Sequence, residues 1–477
     1  MKKIISILLF IFLISSVQGT AQQEMTLQQA REMALRKNEN LKMAGKYLEK
    51  AEAQKAAVRT MRLPSFSAMG MGLYQNKNFE MELFLPTQKP NPMTGELEPN
   101  IMIDPSTGYP VIGPDGNPVF NMYAWLPLTL DMSGAYLAAV MLEQPIYTGG
   151  KISAGNKMAN IGIEMAGENR ELEQMNTIAE SDNAYWTHIS VSQKVKLAQQ
   201  AVDLLTELVK KASDAHEVGM ADRNDLMKAQ VEHNNAKLNL QKAKNGLELS
   251  RMNLCRITGL PFNTEIRAVD TAVSVQSLAE LALEDETISG RPEYQLLQKN
   301  VAMEEQNIRM ARADFLPTAG VQAAYSHIGG VNFSETSFPY TSLNVMASVK
   351  IPLFHWGEGV KKINAAKIDK EIKELELEKN TQLMQLEAEQ ARLNVQLAWE
   401  RIQMNETAVA QAEENLRISQ DNYKLGMETI TELLMAQTSW QKAYSEWIDS
   451  KTDYKMKETA WLKSTGNLRE KRETNFR

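Results

Sequence analysis

A tandem repeat with a constant spacing is the feature of this sequence that most restricts its fold. Identical residues recur 207 positions apart in the pairs Pro145 and Pro352, Gly219 and Gly426, and Thr258 and Thr465. Because the spacing stays constant along this stretch, the two copies differ by no net insertion or deletion. Loops tolerate changes in length, whereas long packed helices do not. The repeat therefore predicts a duplicated unit built largely of long helices.

The first copy carries an insertion ahead of this stretch. Its Leu63-Pro64 pair matches Leu316-Pro317 at an offset of 253, which exceeds 207 by 46 residues. The extra residues lie between Pro64 and Pro145 and include nine of the 16 prolines in the chain. Turn sequences such as Pro114-Asp115-Gly116 also lie there. This composition predicts a long exposed loop at about residues 85–131.

The N-terminus predicts a secretory signal peptide at residues 1–21. Lys2 and Lys3 precede a short apolar run, and small residues at Gly19 and Ala21 follow it. The run is too short for a membrane span, and cleavage after Gly19 or after Ala21 fits the pattern equally well. Beyond this segment, no apolar run reaches the ~18 residues that a membrane-spanning helix needs.

Charge and cysteine content exclude several classes of protein. Without Lys2 and Lys3, 50 basic residues face 59 acidic ones, a net charge of −9. No basic block stands out, so nucleic-acid binding is not indicated. The single cysteine, Cys255, cannot form an intrachain disulfide, and we interpret it as a small buried apolar residue rather than a reactive thiol.

Each copy predicts a long helical hairpin. Residues 151–217 and 359–425 are free of proline, and each stretch of 67 residues would extend roughly 100 Å as a helix. A second helix is expected after each, at about residues 222–257 and 429–463. Short glycine-containing breaks separate the two helices of each copy and predict tight hairpin tips.

The returning helices carry large residues every seven positions. They are Leu226, His233, Leu240, Leu247 and Leu254 in the first copy, and Leu433, Trp440, Trp447, Tyr454 and Trp461 in the second. This period predicts coiled-coil packing. We therefore interpret the aromatic residues as helix-packing core rather than a ligand site, and His233 as a packed histidine rather than a metal ligand.

Four short segments alternate between apolar and polar residues. They cover residues 65–74, 135–144, 320–326 and 342–351. The alternation is typical of transmembrane β-strands, although a half-buried strand of a soluble sheet has the same pattern. Four strands cannot close a barrel, and an open edge in lipid leaves backbone groups unpaired. Several chains must then contribute strands, and three chains would supply 12.

Together these features resemble the TolC-type outer-membrane efflux proteins, the outer membrane factors. The resemblance extends from about Thr26 to Gly466. The motifs that carry it are the opening Thr26-Leu27-Gln28-Gln29-Ala30, the Leu-Pro pairs at 63–64 and 316–317, Arg291-Pro292-Glu293, and the strand-to-helix junctions at 144–150 and 351–357. No single motif is strongly specific, but their order and spacing are.

The resemblance implies a mainly α fold with a membrane β-barrel. Long α-helical coiled-coil hairpins would form an α-barrel, and four β-strands per chain would complete a 12-stranded barrel in a homotrimer. The expected domains are a first structural repeat at 22–262, a linker at 263–290, a second repeat at 291–466 and a C-terminal tail at 467–477. The expected location is the bacterial outer membrane, in contact with its lipid and extending into the periplasm.

The resemblance also implies a function and its partners. The chain would be the outer-membrane exit duct of a tripartite efflux pump, passively exporting small molecules from an inner-membrane transporter through a periplasmic adaptor (membrane fusion) protein. One alternative is the outer-membrane duct of a type I protein secretion system. Another is a periplasmic coiled-coil scaffold without a channel. The five histidines lack metal-ligand spacing and no nucleophile motif occurs, so neither an enzyme nor a cofactor nor a metal is expected.

Two candidate sites follow from the resemblance. The hairpin tips would dock the adaptor, through Val218, Gly219 and Met220 and through Leu425, Gly426 and Met427. The alternative is that the glycines merely permit the tight turns. Asp225 and Glu432, one turn past the tips, would form an acidic ring at the pore constriction.

A second interpretation of the acidic residues is local. Thr429 and Glu432 form a capping-box pattern, and acidic residues stabilise helix N-termini. Met435 and Glu428 depart from the best-known member of the family, which has an acidic and a basic residue there. A gate closed by salt bridges to that basic residue is therefore not expected.

Overall fold

The computed structural model describes residues 23–219, 221–270, 288–334 and 336–468. The predicted signal peptide, Met220 of the first predicted tip, and most of the predicted linker and C-terminal tail lie outside the described residues.

Long helices dominate the described chain. The α-helices are α1 (Leu27–Lys37), α2 (Glu39–Thr60), α3 (Lys151–Glu217), α4 (Arg223–Thr258), α5 (Pro292–Ala313), α6 (Glu358–Lys424) and α7 (Ile430–Ser464). Helices α3 and α6 have 67 residues each and begin and end 207 positions apart. The predicted long helices are thus confirmed to within one residue at each end. Within the described ranges, no helix combines the length and the apolar character that a membrane span requires.

The chain divides into two compact units, and each contains parts of both repeats. One consists of the chain up to Ala56, Gly155–Ile308 and the chain from Ile363 onward, and it is mainly helical. The other consists of Ala57–Ala154 and Arg309–Lys362 and holds the large β-sheets. The predicted repeat boundaries stay a prediction, because the compact units follow spatial contacts and cut across both copies.

The helical unit packs both hairpins into one core near their tips. Its buried members are Val202, Leu205, Leu208 and Ala212 of α3, Leu226, Ala229, Ala236 and Leu240 of α4, Leu416 of α6, and Ile430, Leu433 and Ala436 of α7. Small residues such as Ala229 let neighbouring helices approach closely. Among the seven-residue stripe, Leu226, Leu240, Leu254, Leu433, Tyr454 and Trp461 are buried, as the coiled-coil interpretation predicts. Trp440 and Trp447 are half-buried.

A second core ties the N-terminal segment to α3 and α4. The Tyr185 hydroxyl lies 2.9 Å from the Met25 carbonyl oxygen and 2.8 Å from a carboxylate oxygen of Asp270. Cys255 is fully buried in this cluster, where burial raises the pKa of its thiol. The interpretation of Cys255 as a buried apolar residue is confirmed.

A buried ion pair joins α1 to α3. Arg31 donates from Nε to Asp182 Oδ1 at 2.6 Å, and the Asp182 side chain is fully buried. Thr459 of α7 donates to the other carboxylate oxygen at 2.8 Å. Three helices therefore converge on one carboxylate, whose charge is neutralised by a single guanidinium.

The β-structure comprises twelve short and long strands among the described residues. They are β1 (Gln23–Met25), β2 (Ser65–Leu73), β3 (Phe79–Pro86), β4 (Gln88–Pro90), β5 (Leu97–Pro99), β6 (Tyr123–Asp131), β7 (Ala135–Thr148), β8 (Ile266–Ala268), β9 (Thr318–Gly329), β10 (Asn332–Phe333), β11 (Thr336–Ser337) and β12 (Tyr340–Lys350). The four predicted strands correspond to β2, β7, β9 and β12. They form one antiparallel sheet in the order β12-β9-β7-β2.

This sheet has one apolar face, because paired residues of antiparallel strands share a face. One line of partners across the sheet is Phe66, Leu142, Ala323 and Val345, and the next is Ala68, Val140, Tyr325 and Leu343. The opposite face is more polar and includes Glu143, Gln322 and Met346. Phe66, Leu343 and Val345 are exposed, so the apolar face is uncovered in the single chain.

The insertion is more ordered than the loop that its prolines predict. Strands β3 and β6 pair from Phe79 with Leu130 to Pro86 with Tyr123, and β4 and β5 form a small hairpin beyond them. Residues 85–131 are therefore largely exposed, as the predicted loop would be, but they also contain paired strands. Proline is compatible with strands at edge positions, where its missing N–H is not needed.

The Arg31–Asp182 pair generates a stability prediction. Arg31→Leu leaves the buried Asp182 carboxylate without its counter-charge, and such a loss costs about 3–5 kcal/mol. We expect a clear fall in the unfolding temperature of the detergent-solubilised protein. Adding Asp182→Leu to this variant removes the uncompensated charge and should restore most of the loss. An Arg31→Leu protein that unfolds at the wild-type temperature would contradict the role of the pair.

Candidate functional site

The tip of the second hairpin is a compact left-handed turn. Gly426 has φ +73°, and its N–H donates to the Tyr423 carbonyl at 3.1 Å. The Met427 N–H donates to the Asn422 carbonyl at 2.9 Å. These two bonds satisfy the last carbonyls of α6 in the manner of a Schellman motif, which requires a left-handed residue and favours glycine.

The tip of the first hairpin follows the same plan. Gly219 has φ +75°, and its N–H donates to the His216 carbonyl at 3.0 Å. The His216 ring also lies 3.0 Å from the Ala221 carbonyl oxygen through Nδ1. Space around both tip glycines is open, so their conformation rather than crowding selects glycine. The interpretation that glycine permits the turn is therefore supported by the backbone geometry.

Apolar side chains project from both tips. Val218 is 69% exposed, Leu425 is 72% exposed and Met427 is 75% exposed. Exposed apolar side chains grouped at one site, unlike scattered single ones, indicate a contact surface. These three residues are the part of the predicted docking site whose side chains the structure describes.

The two acidic candidates have different partners. Glu432 accepts from the Thr429 N–H and hydroxyl, both at 2.8 Å, and Thr429 Oγ1 accepts from the Glu432 N–H at 3.3 Å. This arrangement is the capping box that the local interpretation predicts. The hydrogen bonds from Thr429 hold the pKa of Glu432 below its ordinary value.

Asp225 instead takes part in a contact between the two hairpins. Its Oδ1 lies 3.2 Å from Nζ of Lys228, and the same ammonium donates to Thr431 Oγ1 of α7 at 3.3 Å. Burial and the Asp225 charge raise the pKa of the nearby Tyr423 hydroxyl. The equivalent acidic residues of the two copies thus have different roles: Glu432 caps its own helix, whereas Asp225 pairs within α4 with the lysine that contacts α7.

A groove between α4 and α7 adjoins the tips. Its volume is about 880 Å³, and its lining combines the apolar residues Met227, Val231, Leu434 and Met435 with Lys228, Lys442, Glu232 and four neutral polar residues. The groove was not predicted from the sequence. The signal for this groove in the sequence was a pair of apolar residues four positions apart on α4, Met227 and Val231.

Other polar candidates have structural roles. His233 lies 3.1 Å from the Thr206 hydroxyl oxygen through Nε2, in agreement with a packed histidine. Within the part of the chain that the structure describes, no three His, Cys, Asp or Glu side chains are arranged to hold a metal ion.

Solved outer membrane channels share this fold. CusC matches with a TM-score of 0.69 and 15% identity over 92% of both chains. The CmeC outer membrane channel of Campylobacter jejuni matches with a TM-score of 0.67 and 16% identity over 92% of this chain and 85% of its own. The open state of the MtrE outer membrane channel of Neisseria gonorrhoeae matches with a TM-score of 0.67 and 17% identity over 93% and 90%. At identities this low, the structural similarity shows that the fold is shared and nothing beyond that.

Sequence comparison establishes the family. The family model described as outer membrane efflux protein matches residues 30–260 and 283–467. A comparison with curated protein sequences finds no significant match. Members of the matched family are channel proteins and not enzymes, and the predicted resemblance to TolC-type channels is confirmed. Since the match covers most of the chain, the protein belongs to the outer membrane efflux protein family and is located in the outer membrane.

Proposed function

We propose that the protein is the trimeric exit duct of a tripartite efflux pump. In this proposal it passively exports small molecules, which an inner-membrane transporter delivers through a periplasmic adaptor. The proposal of a trimer rests on the open sheet, in which β12 and β2 are the outer strands. Unpaired edge groups in lipid cost several kcal/mol each. Pairing β12 of one copy with β2 of the next removes both edges, and three copies make 12 strands.

The helices support the same assembly. Helix α6 buries Ala388, Val395 and Ile402 within the chain, yet its opposite face is also apolar and exposed. That exposed stripe consists of Ile368, Ile372, Leu375, Leu383, Leu386, Leu393, Leu397 and Met404. At 100° per residue these positions fall on one side of the helix. A helix with two apolar faces requires a partner on each side.

A different surface of the chain offers a complementary site for that stripe. A groove of about 730 Å³ between α2 and α3 is lined by apolar residues and alanines such as Met43, Tyr47 and Ala166, together with polar residues such as Asn40 and Glu173. Because the stripe and the groove are different surfaces, their contact is heterologous, and it generates a ring when the rotation between copies closes. The open edges of the sheet are also two different strands, so both parts of the chain favour cyclic symmetry.

We assign adaptor docking to the apolar tips and the adjoining groove. Exposed apolar side chains next to a cleft suit the end of a partner helix. Two lysines, Lys228 and Lys442, face one acidic residue, Glu232, in the groove, and this excess of positive charge would favour acidic residues on that helix.

We also assign Asp225 and Glu432 to the periplasmic mouth of the duct. In a trimer they would supply six carboxylates around one axis, and rings of carboxylates favour cations. Capping and pore lining are compatible, because the cap keeps Glu432 ionised while leaving its carboxylate at the surface.

The helical stripe yields the test of the trimer. Leu386→Glu places a charge on the stripe, where burial without a partner is unfavourable, so the trimer should weaken by at least about tenfold, or ~1.4 kcal/mol. Gln385→Glu adds the same charge at the adjacent exposed position, off the stripe, and should leave the trimer intact. Native mass spectrometry in detergent reports the fraction of trimer. A monomeric wild type, or equal effects of both changes, would exclude this interface.

The tips yield the test of docking. The double variant Val218→Asp and Leu425→Asp removes the apolar tips and should lower export about tenfold without loss of the trimer, because two central contacts of ~1 kcal/mol or more disappear. Leu249→Asp makes the same kind of change at an exposed site 24 residues along α4 from Asp225 and should retain export. The effect is measured as the tolerance of the cells to a fluorescent pump substrate and as the accumulation of that substrate inside them.

The same assay separates small-molecule export from protein secretion. Deleting the gene should raise substrate accumulation inside the cell. If accumulation is unchanged and secretion of a protein is lost instead, the duct serves a type I secretion system.

The acidic residues yield a pH prediction. Because Thr429 lowers the pKa of Glu432 from its ordinary value of 4.5, the charged form and its capping contribution persist as pH falls through 4.5 and disappear only at the lower folded pKa. The cation preference of the channel in planar bilayers should persist over the same pH range. Thr429→Ala should make the cation preference disappear at a higher pH. The double variant Asp225→Asn and Glu432→Gln should reduce the cation preference at neutral pH. A preference that the double variant does not change would exclude the ring.

A further inference from the structure

A two-stranded ribbon extends the four-stranded sheet in the first copy alone. Along the chain, β2 leads into β3 and β9 into β10, while β6 leads into β7 and β11 into β12. The additional strands pair in the order β11-β10-β6-β3, which repeats the order β12-β9-β7-β2. Strands β10 and β11 have two residues each, whereas β3 has eight and β6 has nine. We name the paired strands β3 and β6 the arm.

Both edges of the arm are largely without a partner strand in the single chain. Strand β6 pairs with β10 only at Leu130 and Asp131, and the Ser334 N–H donates to the Thr129 carbonyl at 2.7 Å. Among the described residues, no strand pairs with residues 123–128 on that side. Strand β3 is the outermost strand of its sheet and pairs with β6 alone. Exposed strand edges of this kind are templates for pairing with another strand.

One face of the arm consists entirely of apolar side chains, because paired residues share a face. Its four pairs are Phe79 with Leu130, Met81 with Leu128, Leu83 with Leu126, and Leu85 with Ala124. Phe79 is 58% exposed and Leu85 is 44% exposed. The opposite face is mixed and includes Glu80 and Glu82. Since an isolated two-stranded ribbon is marginally stable in water, the apolar face and the edges need a partner.

The proposed trimer supplies strands of the correct direction for both edges. In a ring of 12 strands, β3 of one copy and β6 of the next are separated only by the short β10 and β11 of that next copy. Strands β3 and β6 are antiparallel, so β3 of each copy can pair in the same antiparallel manner with β6 of its neighbour. This pairing continues the interface between β2 and β12. It closes three arms into a six-stranded ring that has no free edge.

A ring of six strands is much narrower than the barrel below it. Strands spaced about 4.8 Å apart and tilted by about 40° give a backbone diameter of about 12 Å for six strands and about 24 Å for 12. Side chains already fill the interior of a barrel of about eight strands. The apolar face of the arm suits such a filled interior, and the face with Glu80 and Glu82 suits water.

We propose that the three arms of a trimer pair edge to edge into a six-stranded collar, whose apolar core closes the outer mouth of the duct. The partner of each arm is therefore a second copy of this chain. Helix α2 leads into one end of β2 and the arm follows the other end, so the collar lies outside the cell when the helices extend into the periplasm. This inference rests on the proposed trimer and adds a second contact between its copies.

Distances between spin labels in the purified trimer test the collar. A nitroxide is attached at Glu82→Cys, in the middle of β3, or at Lys77→Cys, between β2 and β3, in a Cys255→Ala background. Equivalent backbone positions of the three copies are about 10 Å apart in the collar and about 21 Å apart on a 12-stranded ring. We therefore expect the separation between copies to be roughly 10 Å shorter at Glu82 than at Lys77.

The two label sites separate failure of the collar from failure of the trimer. Separations at Glu82 that equal or exceed those at Lys77 would overturn the collar and preserve the trimer. The apolar face would then belong to a different molecule at the cell surface. A lack of any defined separation at both sites would refute the trimer and the collar together.

Labelling from outside the cell tests closure of the mouth. Asn344→Cys, in the same Cys255→Ala background, places a thiol on the polar face of β12, opposite Ala324, and a membrane-impermeant maleimide reaches it through the outer mouth. Leu83→Asp places an unpaired charge in the collar core and should raise the labelling rate at least about tenfold.

Phe84→Asp is the matched control, because it adds the same charge at the next position of β3, on the opposite face. It should leave the labelling rate at the wild-type value. Native mass spectrometry should find a trimer for both variants. Equal labelling rates in the wild type and in Leu83→Asp would show that the apolar face does not close the duct.

Discussion

Backbone hydrogen bonding at the edges of the four-stranded sheet is the constraint on which the rest of the molecule depends. The sheet exposes an apolar face along Phe66, Val345 and their neighbours, and a membrane can cover that face. No membrane can satisfy the N–H and C=O groups along the outer sides of β2 and β12. Helix α6 also has a surface that the single chain leaves uncovered, because it is apolar on two opposite sides and only one of them is buried. In the proposed trimer, lipid covers the apolar sheet face, and neighbouring copies cover the sheet edges and the second apolar side of α6.

Duplication of the chain maintains backbone geometry while letting side chains diverge. The tips at Gly219 and Gly426 share one left-handed turn, and α3 and α6 have equal lengths. Divergence is concentrated where a side chain meets different surroundings. Gly149 is confined by the Ala313 carbonyl, whereas Trp356 has space and exposes an indole. Two copies of one unit therefore need not perform the same task, and the differences identify positions where function can be assigned.

Much of the fold was predictable because its determinants are local. Breaks at glycine and proline delimit α3, α4, α6 and α7, and a seven-residue period identifies their packed sides. The candidate site was predictable only in part. The capping box of Thr429 and Glu432 follows from spacing along the chain. The hydrogen bond from Lys228 to Thr431 joins residues 203 positions apart, and no local pattern specifies it.

The repeat, the helical hairpins and the strand positions could be inferred from the amino-acid sequence, since periodicity and turn residues act over short distances along the chain. The order and spacing of the motifs indicated the family. The pairing of the proline-rich insertion as β3 and β6 emerged from the fold, because it joins Phe79 to Leu130 across 50 intervening residues. The fold also showed that Glu432 caps a helix while Asp225 pairs within α4 with Lys228, and that Trp356 is exposed in a left-handed turn. The burial of a residue depends on which residues distant in sequence pack around it, and only the folded chain determines that packing.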